Sequence, residues 1–281
     1  HNNSLQRLAD YPEVRLIRNT SNRGFAVAQN QGIRATKSMY VMPLNFDVCL
    51  TPTCIAEMVH VIEQNGRIGS VSAKLLQMDK DSNPTGRIDS AGLLLPPNRF
   101  PVRRGHGEVD HGQYDEPCLV FGATGALAMY RRDMLEDIAF DSQYFDEGYF
   151  TWYEDVDLEW RARLREWDCL YVPQALAYHV GDPHGHGRSR FGAMISMRNR
   201  WKMIVSNECP HCAFQNGRWL IGEELALLRH VILHGLLREY LGALRSLITS
   251  MSAVLRKRKA VRRRTMRQCL PVYPQPWTES R

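Results

Sequence analysis

Short apolar runs alternate with polar loops and amphipathic stretches from the start of this chain to about residue 207. Ser4 to Ala9 reads as the end of a helix and Val14 to Ile17 as a short strand. A polar loop from Asn19 to Gly24 leads into a small-residue helix over Ala26 to Ala35. The apolar run Tyr40 to Leu44 stops abruptly at Asn45-Phe46-Asp47, as a buried parallel strand does. Thr51-Pro52 supplies an N-cap and a first-turn proline for a helix to about Gln64, and Ile68 to Ala73 is another apolar strand. Further on, Leu119 to Tyr130 reads as a strand containing Gly122 and Gly125, and Arg131 to Ile138 as a short helix. Glu154 to Arg165 follows as a helix with Val156, Trp160 and Leu164 on one face, then Cys169 to Val172 as a strand. Such alternation predicts an α/β domain with a mostly parallel sheet. Between these elements, Asp79 to Pro117 is rich in Pro, Gly, Asp and Arg and lacks periodicity. It predicts a long excursion over one face of the sheet, with a substrate-covering role.

After Asn207 the pattern changes. Leu220 to Leu255 is helical, with Glu223, His230, His234, Arg238, Arg245 and Ser252 along one stripe. Charges recur too often for a transmembrane helix, which needs about 20 apolar residues in a row. An amphipathic helix or helix pair fits, ending in a run from Arg256 to Arg267 with eight basic residues and no acid. The chain thus divides into an α/β part, 1–207, and a helical extension with a basic tail, 208–281. A broad apolar face beside dense cationic charge points to an anionic membrane surface, where each Lys or Arg adds about 1 kcal/mol. The simpler alternative is a helix docked on the body with the basic run solvated.

That run holds eight of the 36 Lys and Arg, so the other 28 face 30 Asp and Glu. The body is slightly acidic, which disfavours a nucleic-acid binder with a basic main domain. Composition, 44% hydrophobic and 23% charged with ordinary Gly and Pro, excludes a disordered or collagen-like chain. Seven scattered Cys, an odd number, read as free thiols of a reducing compartment. The first residue is His1, so the chain is expected to begin partway into a longer protein.

Asn45-Phe46-Asp47 lies where ligands bind in open α/β sheets, beyond the carboxyl end of a strand. A carboxylate there, with a neutral oxygen two residues earlier, suits a hard divalent cation on diphosphate oxygens. An Asx turn closing a strand would look the same. Glu154-Asp155-Val156-Asp157 gathers three carboxylates at a helix start, where the helix dipole alone would favour them. Tyr149, Phe150, Trp152 and Tyr153 surround the cluster, however, and aromatic faces suit sugar rings, with a carboxylate among them placed for general-base work. His179 ends an apolar stretch before the Gly- and His-rich loop from Gly181 to Ser189; a satisfied polar group explains it unless it shares a metal with Asp47. Cys209-Pro-His-Cys212 is a CxxC, but structural zinc takes four ligands and no second CxxC or spaced His pair follows. A redox role would need a thioredoxin-like context, which is missing.

Taken in order, several stretches resemble the inverting family 2 glycosyltransferases of GT-A fold, especially their bacterial rhamnosyltransferase-like branch. They are Asn22 to Ile33, Leu44 to Val48, Asp89-Ser-Ala-Gly92, Gly122 to Ala126, Phe145 to Phe150 running into Tyr153 to Leu158, His179, and Arg198-Asn-Arg200. The resemblance implies a Rossmann-like α/β domain that moves a sugar from a nucleotide-diphosphate donor to an acceptor hydroxyl of a glycan or lipid-linked substrate. It implies Asp155 as catalytic base, Glu154 and Asp157 orienting it or touching the acceptor, and Asp47 with His179 as ligands of Mg2+ or Mn2+. Asn45 stands where the family's DxD-type motif has its first Asp. Asn22, Gly24 and Asn30 match the nucleotide-sugar loop and helix and Gly122 and Gly125 the wall beside the sugar; Arg198 falls in a matched stretch, and Trp152, in the aromatic belt, is a further substrate-binding candidate. Asp89-Ser-Ala-Gly92 favours a dTDP-rhamnose-type donor. The implied setting is synthesis of a cell-surface polysaccharide or glycolipid by a cytoplasmic protein held peripherally at the inner face of the membrane. About fifty residues that family members carry at the start, for the base and ribose, are absent, so a non-catalytic glycosyltransferase-like binding module is the alternative.

Overall fold

The computed structural model describes residues 7–181, 189–267 and 269–277. Residues 4–6 of the predicted first helix and 182–188 of the Gly- and His-rich loop lie outside them. Helix α1 (Phe25–Arg34) is followed by strands β1 (Tyr40–Val41) and β2 (Val48–Leu50), and by helix α2 (Cys54–Gln64). Cys54, Met58 and Ile62 recur every four residues on α2 and give it one buried face, packed on the sheet. Strands β3 (Ile68–Met78), β4 (Pro84–Ser90), β5 (Leu93–Leu94), β6 (Val102–Arg103), β7 (Cys118–Val120) and β8 (Ala128–Arg131) lead to α3 (Arg132–Ile138). Then come α4 (Glu154–Leu164), β9 (Asp168–His179) and α5 (Arg190–Asn207). The C-terminal part adds α6 (Pro210–Gln215), α7 (Gly217–Leu233), α8 (Leu237–Thr249), α9 (Met251–Arg264) and β10 (Gln275–Pro276).

The sheet runs β1-β8-β3-β9-β7-β10, with β4 also on β3 and β2 also on β9. The α/β architecture with helices flanking a central sheet is as expected, but the pairing is more mixed than the expected mostly parallel sheet. Among the described strands β3 and β9 run parallel and the other pairs are antiparallel. The apolar run at Tyr40 illustrates why: β1 pairs antiparallel with β8, the strand that returns after the loop 121–127. An apolar run reports burial, not strand direction. That loop also divides the predicted Leu119 to Tyr130 strand into β7 and β8. Val14 to Ile17 forms no strand and is exposed. The expected structureless excursion after Asp79 holds β4 on β3 and the β5–β6 hairpin, and several of its residues face the cleft described below.

Helix α4 is buried around nearly its whole circumference. Leu158 and Ala162 join the core under the sheet, while Val156, Trp160 and Leu164 pack with Met203 of α5. Four of its buried charged residues form pairs, which offsets their burial. Arg161 bonds Asp157 at 3.0 Å and Arg163 bonds Glu159 at 2.8 Å, each one helical turn apart.

The predicted helix from Leu220 to Leu255 breaks into α7, α8 and α9, the first break at Gly235, whose φ of +63° suits a residue without a Cβ. The basic run, read as membrane-facing or solvated, is partly docked on the body. Lys257 is buried, Arg258 donates to the carbonyl of Glu208 at 2.9 Å, and Arg262 donates to that of Asn207 at 2.6 Å. Arg256, Lys259, Arg263 and Arg264 stay exposed. Not all cysteines are free thiols: Cys212 and Cys269 form a disulfide with Cα atoms 6.2 Å apart. The bridge joins positions 57 residues apart, a proximity no spacing rule reveals.

Candidate active site

Antiparallel pairing of β2 with the end of β9 aligns Val48 with His179 and so brings Asp47 beside the imidazole. Nε2 of His179 lies 3.5 Å from Oδ1 of Asp47, and that oxygen is buried with no hydrogen-bond partner among the described residues. On its other side, Nδ1 of His179 is 2.9 Å from Oδ2 of Asp89. An ionised carboxylate only accepts, so Nδ1 of His179 donates this hydrogen bond, and Nε2 faces Asp47. Burial alone would raise the Asp89 carboxyl; the hydrogen bond from His179 and the Arg103 charge hold it below its usual range. Arg103 Nη1 donates to it at 2.6 Å. One carboxylate oxygen and one imidazole nitrogen, the latter oriented by a second carboxylate, fit a divalent cation such as Mg2+ or Mn2+. Asn45 stands next to this corner, its N–H bonded to the carbonyl of Ala126 at 2.9 Å. Phe46 between them is fully exposed.

The second corner is the start of α4. Oδ2 of Asp155 accepts from the N–H of Gly125 at 2.8 Å, and Oδ1 accepts from that of Val156 at 2.8 Å. Burial pushes its carboxyl up in spite of these bonds. Glu154 is shifted well upward, first by burial and then by the charge of Asp155, and its Oε2 has no partner among the described residues. The turn leading into the helix holds Phe150, Trp152 and Tyr153 at φ of +68°, +63° and +70°. Left-handed backbone at non-glycine residues costs about 1 kcal/mol each and persists only where neighbours enforce it. Asn199 of α5 does so: its Nδ2 lies 3.0, 2.8 and 2.8 Å from the carbonyls of Tyr149, Thr151 and Trp152.

Both corners open on one cleft of about 800 Å³, whose walls include Asn45, Asp89, Gly125, Trp152, Asp155 and His179. Thr124 Oγ1, in the same wall, is another buried polar atom with no partner among the described residues. Unsatisfied buried groups of this kind mark where a ligand's polar atoms belong.

Other predicted substrate-binding residues do not line the cleft. Asn30 is fully buried and spends its amide on Phe145, Glu147 and Tyr144, so it pins the loop before α4. Asn22 accepts from Gly24 N–H in an exposed turn. Gly24, at φ +83°, is packed so closely that a Cβ would sit 2.5 Å from the carbonyl oxygen of Phe150. Asp157 is completely buried in ion pairs. Gly122 is where the chain crosses Glu159, and Arg198 donates to the carbonyls of Gly148 and Tyr149. These residues therefore shape the site from behind. Sequence reading missed Asp89 as the partner of His179, Asn199 as the clamp and Lys257 as a buried cation. The first two lie in quoted motifs whose pattern does not say what they touch, and Lys257 is hidden among arginines.

Comparisons with known proteins bear on the family and the fold. Residues 2–139 match the family model "Glycosyl transferase family 2". An N-acetylglucosaminyl-diphospho-decaprenol L-rhamnosyltransferase of Mycobacterium tuberculosis is 24% identical over 247 residues, 81% of this chain and 78% of that protein. A poly-beta-1,6-N-acetyl-D-glucosamine synthase of Staphylococcus epidermidis is 22% identical over 182 residues, 64% of this chain and 38% of that one. Among solved structures, GalNAc-T7 with UDP, GalNAc and Mn2+ superposes with a TM-score of 0.53 at 15% identity, covering 73% of this chain and 39% of that chain, which is a likeness of fold. Fold, motif order and family match agree: residues 2–139 carry a glycosyltransferase family 2 domain, and the chain is similar to a rhamnosyltransferase at 24% identity.

Proposed function

We propose that this glycosyltransferase moves a sugar from a nucleotide-diphosphate donor to an acceptor hydroxyl with inversion at the anomeric carbon. The observation that carries the reading is that His179, 3.5 Å from Asp47, and the Asp155 carboxylate line one cleft. Asp155 takes the proton from the acceptor hydroxyl, whose oxygen attacks the anomeric carbon as the bond to the diphosphate breaks and that group leaves with the electron pair. A carboxyl raised by burial is a stronger base than an exposed aspartate. Trp152 offers an aromatic face to a pyranose, and Gly125 holds the base through its N–H. Asp47 and His179 would hold Mg2+ or Mn2+, which when bound supplies positive charge to the departing diphosphate.

The rhamnosyltransferase relative supports a dTDP-rhamnose-type donor and a lipid-linked acceptor bearing N-acetylglucosamine. Peripheral attachment to an anionic membrane fits such an acceptor. Among the described residues no helix is long and apolar enough to cross a membrane. Trp219, Leu225 and Ile232 of α7 and Leu237 and Leu241 of α8 are exposed, with Arg229 and Arg238 beside them. Apolar side chains flanked by arginines suit a headgroup boundary. The test is transfer from a panel of nucleotide sugars, with Mg2+ or Mn2+, to a prenyl-diphosphate N-acetylglucosamine acceptor, the anomeric configuration of the product being read by NMR. Retained configuration would end the single-displacement reading, and failure to bind any nucleotide sugar would favour the non-catalytic module.

A further inference from the structure

The CxxC of α6 has a third partner. Ligand sulfurs of Cys209, Cys212 and Cys269 all lie within 4.8 Å of one another. Cys212 and Cys269 are joined as a disulfide, while Cys209 beside them keeps a free, buried thiol that accepts the N–H of Cys212 at 2.9 Å. Arg262 interacts electrostatically with Cys209, and Arg258 is anchored one residue away on the carbonyl of Glu208. Cys212 and Cys269 also border a cavity of about 360 Å³, which gives a path for an ion and room for a solvent ligand.

We propose that reduction turns this cluster into a zinc site, with Cys209, Cys212 and Cys269 as three thiolate ligands and a water as the fourth. A dithiol reductant supplies two electrons and two protons to the bridge, giving two thiols and a cyclic disulfide of the reductant. Zn2+ then displaces three protons from the three thiols. Tetrahedral zinc with Zn–S near about 2.3 Å separates its sulfurs by about 3.8 Å, within the spread already present. The resulting centre has a net charge of −1, which the neighbouring arginines offset. In either state the cluster ties the chain before β10 to the start of α6. Because β10 pairs with β7, the strand that enters the cleft-wall loop 121–127, the tie secures the sheet edge behind the site. The missing ligand comes from Cys269 and is invisible to motif spacing.

The test uses the full chain, reduced with a dithiol freed of excess, and titrated with Co2+ and then Zn2+. Thiolate-to-cobalt charge-transfer absorption should saturate at one ion per chain, and Zn2+ should abolish it. The oxygen and nitrogen donors of Asp47 and His179 give no such band, so the two sites are read apart. The oxidised chain should show no band. Cys209→Ser should bind Co2+ about a hundredfold or more weakly. Thiol alkylation should show that this variant still forms the Cys212–Cys269 bridge under oxidising conditions, proving it folded. Cys49→Ser, at an exposed thiol, should leave the titration unchanged. Absence of the band in the reduced chain, its persistence in Cys209→Ser, or its loss in Cys49→Ser would overturn the proposal.

Discussion

Nζ of Lys257 lies 2.5 Å from Oδ1 of Asp157, so a cation from the basic run of α9 neutralises a fully buried carboxylate two residues beyond Asp155. The same amine reaches Asp146 at 2.8 Å, where Lys202 of α5 also binds at 2.9 Å. Burial alone would raise both acids; the lysines, and Arg161 at Asp157, hold both carboxyls below their usual range. Three helices thus meet through charge beneath the aromatic turn of the site.

Removing one member of a buried ion network strands its partners. Lys257→Met should cost about 3 kcal/mol in denaturant unfolding. The pH sign follows from the lowered carboxyls: their contribution is complete above the unfolded aspartate pKa near about 3.9 and is lost as pH falls below it. The native chain should therefore lose stability as pH drops below about 4, and the variant should show a flatter acid limb. An unchanged urea midpoint would refute the network's weight.

Asp155→Asn should lower kcat by about 10³-fold, as loss of a general base does, while nucleotide-sugar binding measured by calorimetry persists. In the native enzyme kcat/KM should fall on the acid side with a midpoint above the ordinary aspartate range, because burial favours the protonated form. Full activity in the variant would remove Asp155 from its role.

Glu154 presents a different expectation. Its upward shift and unpartnered Oε2 mean that charge there is unfavourable. Glu154→Gln should keep most activity and gain about 1 kcal/mol at neutral pH, whereas Glu154→Ala should leave a hole and destabilise the turn. Equal losses in both variants would assign Glu154 a charged role.

Asp89→Asn should weaken Mn2+ binding about ten- to a hundredfold, since the carboxylate fixes the tautomer and ring of His179. Metal titration followed by Mn2+ electron paramagnetic resonance reads this directly. Affinity equal to native would mean that His179 does not hold the ion.

Replacing Trp219, Leu225 and Ile232 together with Ser should abolish flotation on vesicles of anionic lipid without lowering the melting temperature, because these side chains are exposed on α7. Flotation that survives the change would move the contact elsewhere.

The sequence alone determined where α1, α2, β3, α3, α4 and the start of β9 lie, because period and chain punctuation are local. It also pointed to Asp47, Asp155, Trp152 and His179, since the residue types needed for phosphate, proton and sugar-ring chemistry stand out at strand and helix ends. What only the tertiary structure decided is partnership. Strand direction at Tyr40 depends on which neighbour is met, and Asn30 and Asp157 look like ligand residues until burial commits them to the protein's own backbone and cations. Lys257 and Cys269 read as parts of a tail, yet folding brings one onto Asp157 and the other beside a CxxC. Hydrogen bonds, ion pairs and sulfur ligation act over a few ångströms in space, and distance along the chain carries almost no information about which groups come that close.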